Sequence, residues 1–192
     1  GTVILEQQYN NTEILNSFNS ALNSNKLLGV ESIYIIDSYY VALKKNGRIA
    51  AWGPDVSNYS DFTQINSNLV NVISIFKNNN AFAFLQRNSG ITSITTAGYN
   101  NSGGSSQIYD VYDSTYTDVT IGNNIVSVFV TSYAFAALNS SGNIITWGKY
   151  DSRKKTIINQ YDYDSGANIS DNSFITSSIN FVDVIPGENT FV

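Results

Sequence analysis

Apolar and polar residues alternate along this chain in short runs, and the runs recur. Residues 125–148 read IVSVFVTSYAFAALNSSGNIITWG, and residues 30–53 read VESIYIIDSYYVALKKNGRIAAWG. With Leu43 placed on Leu138, Ile33 falls on Val128, Tyr40 on Phe135, Ala42 on Ala137, Gly47 on Gly142 and Trp52-Gly53 on Trp147-Gly148. A looser copy spans 72–98, with Leu85 in the leucine position. A fourth, FVDVIPGENTFV, occupies 181–192. Self-similarity at this spacing marks a repeat architecture, and a repeated unit is a packing device first.

Each full copy predicts three short strands. In the copy at 125–148, residues 125–130 supply the first. Ala134 to Leu138 form a continuous apolar run, as a strand buried on both faces does. Asn139-Ser140-Ser141-Gly142 is a hairpin turn whose Gly tolerates positive φ. Ile144, Ile145 and Trp147 then give a strand of β-branched and aromatic residues. Three such strands make a small antiparallel sheet that cannot hide both faces alone. Side-by-side stacking hides them, as in a propeller blade or a solenoid rung.

The ends carry matching halves of one more unit. GTVIL at 1–5 overlays GNIIT at 142–146, and Thr190-Phe191-Val192 overlays Ala134-Phe135-Ala136. Val3, Ile4 and Leu5 are therefore expected to pair with Phe191 and Val192, closing one chain or joining two copies by strand complementation. The expected organisation is a single repeat domain over 1–192, with cores 30–53, 72–98 and 125–148 and a split fourth formed by 181–192 with 1–6. The missing Met and bare Gly1 fit a processed or excised chain. Between Gln7 and Gly29, the spacing of Ile14, Phe18, Ala21 and Leu22 predicts a helix, with Thr12 as its cap and Gly29 as its stop. Phe62, Ile65 and Leu69 repeat that spacing before the second core.

The pattern of an aliphatic pair, A-x-A-L, a turn ending in Gly, an aliphatic strand and Trp-Gly resembles the repeat of the regulator of chromosome condensation family. It is also similar to the propeller that inhibits β-lactamases. The resemblance covers about half the chain and implies an all-β fold, a propeller-like array of three- to four-stranded blades. Two features depart from it: the His common before the A-L strand is absent, and Asn, Ser and Tyr replace the Gly-rich blade ends. The fold carries over; the guanine-nucleotide exchange of one family branch does not.

Composition narrows the function. The 192 residues are 42% hydrophobic and 13% charged, enough apolar content for a substantial core. A net charge of −5 is the wrong sign for a phosphate backbone, so nucleic acid is a poor partner. No run approaches the length of a membrane span, and no membrane insertion is expected. His and Cys are absent, which removes the commonest general base and the strongest nucleophile. No catalytic fingerprint replaces them, so the chain is read as no enzyme and as using no cofactor. Five Asn-x-Ser/Thr sequons, at Asn10, Asn58, Asn100, Asn139 and Asn168, are ordinary in a chain this rich in Asn and Ser. They matter in a eukaryotic secreted protein.

Candidate binding residues fall in the segments between cores. Ser102-Gly103-Gly104-Ser105 reads as a flexible loop, followed by the tyrosine-rich run YDVYDSTYTDV. Tyr99, Tyr109, Tyr112 and Tyr116 are expected to face a partner, since recognition sits on loops of a rigid scaffold. Arg153, Lys154 and Lys155 form the one basic cluster, ordinarily just a solvated one. Asp162, Asp164 and Asp171 alternate with other oxygen ligands around Gly166, as Ca²⁺ sites do. They lack the full spacing and closing Glu, which favours a plain Asp/Asn turn. Trp52 and Trp147, at one place in the repeat, read as packing between blades rather than as sugar platforms. Two functions follow: a structural module that assembles with copies of itself, or a secreted module binding protein or glycan through its loops. Either is expected outside the cell or at its surface.

Overall fold

The computed structural model describes residues 12–53 and 69–150, apart from residues 25, 38, 111 and 113. Each full repeat folds as an antiparallel meander. The strands are β1 (Val30–Ile36), β2 (Tyr39–Lys44) and β3 (Ile49–Trp52); β4 (Val72–Lys77), β5 (Ala81–Asn88) and β6 (Ile91–Gly98); and β9 (Ile125–Val130), β10 (Ala134–Asn139) and β11 (Ile144–Tyr150). Two more, β7 (Gln107–Asp110) and β8 (Thr115–Asp118), join the third sheet.

The repeat persists at the level of the backbone. Ile33, Ile75 and Val128 stand opposite Ala42, Phe84 and Ala137 in their sheets. Pairing of each first strand skips one residue, at Glu31, Ile73 and Val126, a β-bulge repeated three times. Just before each strand, Gly29, Asn71 and Asn124 take φ of 72°, 56° and 59°. Gly and Asn occupy this left-handed region at least cost. Their carbonyls accept the Lys45, Arg87 and Ser140 amides at 2.9, 3.0 and 2.8 Å, hooking each sheet's first strand to the far end of its second.

The sheets stack in chain order, and the stacking has a direction. Val41, Leu43, Ile49 and Ala51 of the first sheet pack against Ile75, Phe82, Phe84 and Ala97 of the second. The opposite face of the second sheet (Ala81, Ala83, Leu85) packs against Val128, Phe135, Ala137 and Trp147 of the third. The leucine-bearing face of one repeat thus meets the aromatic-bearing face of the next. Each large side chain fully buried there contributes about 1.5–3 kcal/mol. Backbone bonds stitch the seams: Val72 donates to the Gly47 carbonyl at 2.9 Å and Asn124 to that of Thr92 at 2.8 Å. A Cβ on Gly47 would stand 3.1 Å from the Asn71 Cα, so glycine permits this approach.

The aromatic face of the first sheet is covered by a helix, α1 (Thr12–Asn23), whose Phe18 and Ala21 bury against Tyr40, Ala42, Ala50 and Trp52. The helix stops well before Gly29. The Ser24 hydroxyl donates to the carbonyls of Ser20 and Ala21 at 2.7 and 3.2 Å and so satisfies the helix end. Gly29 serves the repeated left-handed corner instead, and Leu22 is exposed rather than packed. Trp147 lies between sheets as expected, whereas Trp52 packs beneath α1. Phe62 and Ile65, the split unit of Val3, Ile4, Leu5, Phe191 and Val192, the basic Arg153, Lys154 and Lys155, and the acidic Asp162, Asp164 and Asp171 lie outside the described residues.

Candidate interaction surface

The tyrosine-rich segment is not a linker. Residues 107–110 and 115–118 pair antiparallel and fold as the β7–β8 hairpin. β7 runs parallel to β11, with Ile108, Tyr109 and Asp110 opposite Gly148, Lys149 and Tyr150. The third sheet therefore has five strands, in the order β8-β7-β11-β10-β9.

The stretch expected to be a flexible loop anchors this hairpin. Ser102, Gly103 and Gly104 are buried. After the single helical turn Asn100–Ser102, Gly103 takes φ 90°, and a Cβ there would lie 2.7 Å from the Phe135 ring. A Cβ on Gly104 would run into the backbone of Gly98. The glycines are present because space is lacking, not because motion is needed. The Trp147 Nε1–H donates to the Gly103 carbonyl at 3.2 Å, while its ring stacks on Phe135 at 5.3 Å. The buried Asn78 donates from Nδ2 to the Ser102 carbonyl at 2.7 Å. Its Oδ1 accepts the Asn80 and Ala81 amides at 2.8 and 2.7 Å. One side chain so ties the β4–β5 corner to the turn before the hairpin. Sequence reasoning passed over Asn78; the signal was an Asn-rich corner, NNN, at 78–80.

On this anchored frame the tyrosines are displayed. Tyr109 and Tyr116, opposite each other in register, bring their rings to 4.8 Å at 38°. Tyr112, at the hairpin end, is 60% exposed, and Tyr116 and Tyr99 are exposed too. All four residues of β8 are exposed. Tyr99 lies apart in sequence, on the turn that precedes the anchor; its amide bonds the Asn80 carbonyl at 3.0 Å. Gln107 donates from Nε2 to the Asp118 carboxylate at 2.7 Å. Beside the hairpin, the Lys149 ammonium sits 4.9 Å over the Tyr133 ring, a cation–π contact. Among the described residues, no group of three or more Asp, Glu, His or Cys is placed to hold a metal ion. The Asn139 side chain is taken up in its turn, accepting the Ser141 and Asn143 amides at 3.0 and 2.9 Å.

No family model matches the chain, and no curated protein does. Among solved structures it is similar to Prp20p from Saccharomyces cerevisiae, a protein described with its binding to Gsp1p and histones. The identity is 17% and the TM-score 0.43, over 64% of this chain and 31% of that one. This chain thus spans about a third of that protein's length, and the reading of the fold rests on the stacked sheets themselves.

Proposed function

We propose that this chain is a non-catalytic protein-binding module made of stacked propeller-type sheets, recognising its partner through the β7–β8 hairpin. The observation that carries this reading is a set of exposed tyrosines on a hairpin whose base is fixed by buried glycines, Asn78 and Trp147. Tyrosine offers large amphipathic contact area with few rotatable bonds, so little ordering entropy is lost on contact. An anchored base removes the cost of ordering the loop as well.

The test compares the unaltered chain with Tyr112→Ala/Tyr116→Ala in affinity capture from the source's own extract and on a glycan array. Both side chains are exposed, so the loss of stability is expected to stay near that of the Tyr109–Tyr116 cross-strand contact, about 0.2–1 kcal/mol, with the fold retained. Protein partners retained by the unaltered chain and lost by the variant support the reading. Equal capture by both rejects the tyrosine surface, and glycan hits without protein partners move recognition to sugars.

A second reading, assembly of copies through Val3–Leu5 and Phe191–Val192, is favoured by one feature of the first sheet. Ile33 and Ile35 are 38% and 43% exposed on the face turned away from the second sheet. The repeat equivalents of Ile33, which are Ile75 and Val128, are 4% and 9% exposed, each covered by the preceding sheet. A second copy docking beside α1 would cover this exposed strip of β1. Sedimentation at several concentrations, with and without residues 1–6, tests it. A monomer at every concentration, or assembly unchanged by the deletion, rejects joining in trans.

A further inference from the structure

Among the described residues the β8 strand is the outer edge of the five-stranded sheet, and its hydrogen-bonding phase is fixed. Val119 donates to the Ser106 carbonyl at 2.9 Å, which makes 106 and 119 a bonded pair. Bonded and non-bonded pairs alternate in an antiparallel ladder. Ile108 with Thr117 and Asp110 with Thr115 are therefore bonded, while Gln107 with Asp118 and Tyr109 with Tyr116 are not. The closeness of the Tyr109 and Tyr116 rings agrees, because side chains of non-bonded pairs stand nearer. The consequence falls on the other side of the strand. The N–H and C=O of Tyr116 and of Asp118 point away from β7, two residues apart, as the outer edge of the sheet.

Exposed edges are ordinarily guarded by Lys, Pro or a bulge. β8 reads TYTD, with none of these, and is fully exposed. Its restraints are its shortness and the single charge of Asp118. We propose that the Tyr116–Asp118 edge is a strand-addition site for an extended basic–aromatic peptide segment of a partner protein. This deepens the protein-binding reading above and rests on it. The side-chain pattern follows from the phase. A residue bonded opposite Tyr116 stands on the face that carries Tyr109 and Tyr116 and extends that aromatic row, as cross-strand aromatic pairs do. A residue opposite Asp118 meets a carboxylate in a segment, 107–118, that holds three Asp and no Lys or Arg. Lys or Arg belongs there. Antiparallel addition then asks for a basic residue followed two places later by an aromatic one. A second copy of this chain, at net −5, would bring acid to acid.

The probe is the blocked peptide Thr-Lys-Val-Tyr-Val-Thr, added to the full chain, with amide hydrogen exchange as the readout. At ten times its dissociation constant the Tyr116 and Asp118 amides are expected to exchange about tenfold more slowly. N-methylation of the peptide's Lys and Tyr, whose N–H groups face β8, abolishes the protection. N-methylation of its two Val, whose N–H groups face away, leaves it. Changing the peptide's Lys to Glu weakens binding about two- to fivefold, as for an exposed ion pair. The proposal is overturned if the two amides exchange equally fast with millimolar peptide, or if the two N-methylated peptides protect alike. Should the peptide fail while Tyr112→Ala/Tyr116→Ala still loses protein partners, protein binding stands by side-chain contact and strand addition is wrong.

Discussion

Trp147→Ala is expected to destabilise the protein by about 3–5 kcal/mol, the range for emptying a large buried aromatic site. The ring is fully buried between the second and third sheets, stacked on Phe135, and its N–H holds the Gly103 carbonyl. Its removal opens a cavity in the seam and frees the turn that carries the β7–β8 hairpin. Denaturant titration measures the loss. Iodide quenching gives a check on the unaltered protein: both tryptophans are buried, so quenching as strong as that of free tryptophan would contradict the packing. The sharper contrast lies in conservative variants. Trp147→Phe leaves the Gly103 carbonyl without its donor, at about 1–3 kcal/mol. The Trp52 Nε1–H, although buried, has no acceptor among the described residues. It packs on α1 through Phe18, rings 6.3 Å apart, and a helix spends its interior carbonyls on its own ladder. Trp52→Phe removes an unsatisfied donor and should cost less than Trp147→Phe by about 1 kcal/mol or more. Equal costs would show that the Gly103 bond contributes nothing.

Gly148→Ala is expected to cost about 3 kcal/mol or more, from backbone strain and overpacking together. Gly148 has φ 115°, and a Cβ there would lie 2.7 Å from the Tyr133 carbonyl oxygen and 2.8 Å from the Ala134 Cα. Both obstacles are backbone, which cannot turn aside as a side chain can. Gly98 repeats the arrangement one sheet earlier, with φ 126° and contacts of 2.5 and 2.6 Å to Asn80 and Ala81, and Gly98→Ala should behave alike. Gly90 is the control. Its φ is 85° with nothing within 4 Å, so Gly90→Ala meets only the left-handed penalty, about 1–2 kcal/mol. Thermal or denaturant unfolding of the three variants decides the matter: similar losses at all three positions would mean that crowding at the strand end is not the cause.

What the sequence determined by itself is the repeat. Apolar runs such as Ala134–Leu138, turns ending in Gly47 and Gly142, and the matched Trp-Gly pairs are set by local alternation and turn chemistry. An expectation of three stacked meanders needs nothing more. The helix at Thr12–Asn23 was legible for the same reason, because Phe18 and Ala21 fall on one face. Only the tertiary structure decided the rest. Gly103 and Gly104 look like a flexible loop because glycine's lack of a side chain reads the same whether it grants motion or makes room. The crowding that distinguishes the two comes from Phe135, Trp147 and Gly98. The β7–β8 hairpin looked like a linker because its parallel partner β11 lies about forty residues further on, and no local pattern announces such a pairing. Trp52 and Trp147 are equivalent in sequence, yet among the described residues one indole has an acceptor and the other none. A helix covers the first and the buried Gly103 turn the second, and which neighbour covers a buried donor is a property of the packed chain.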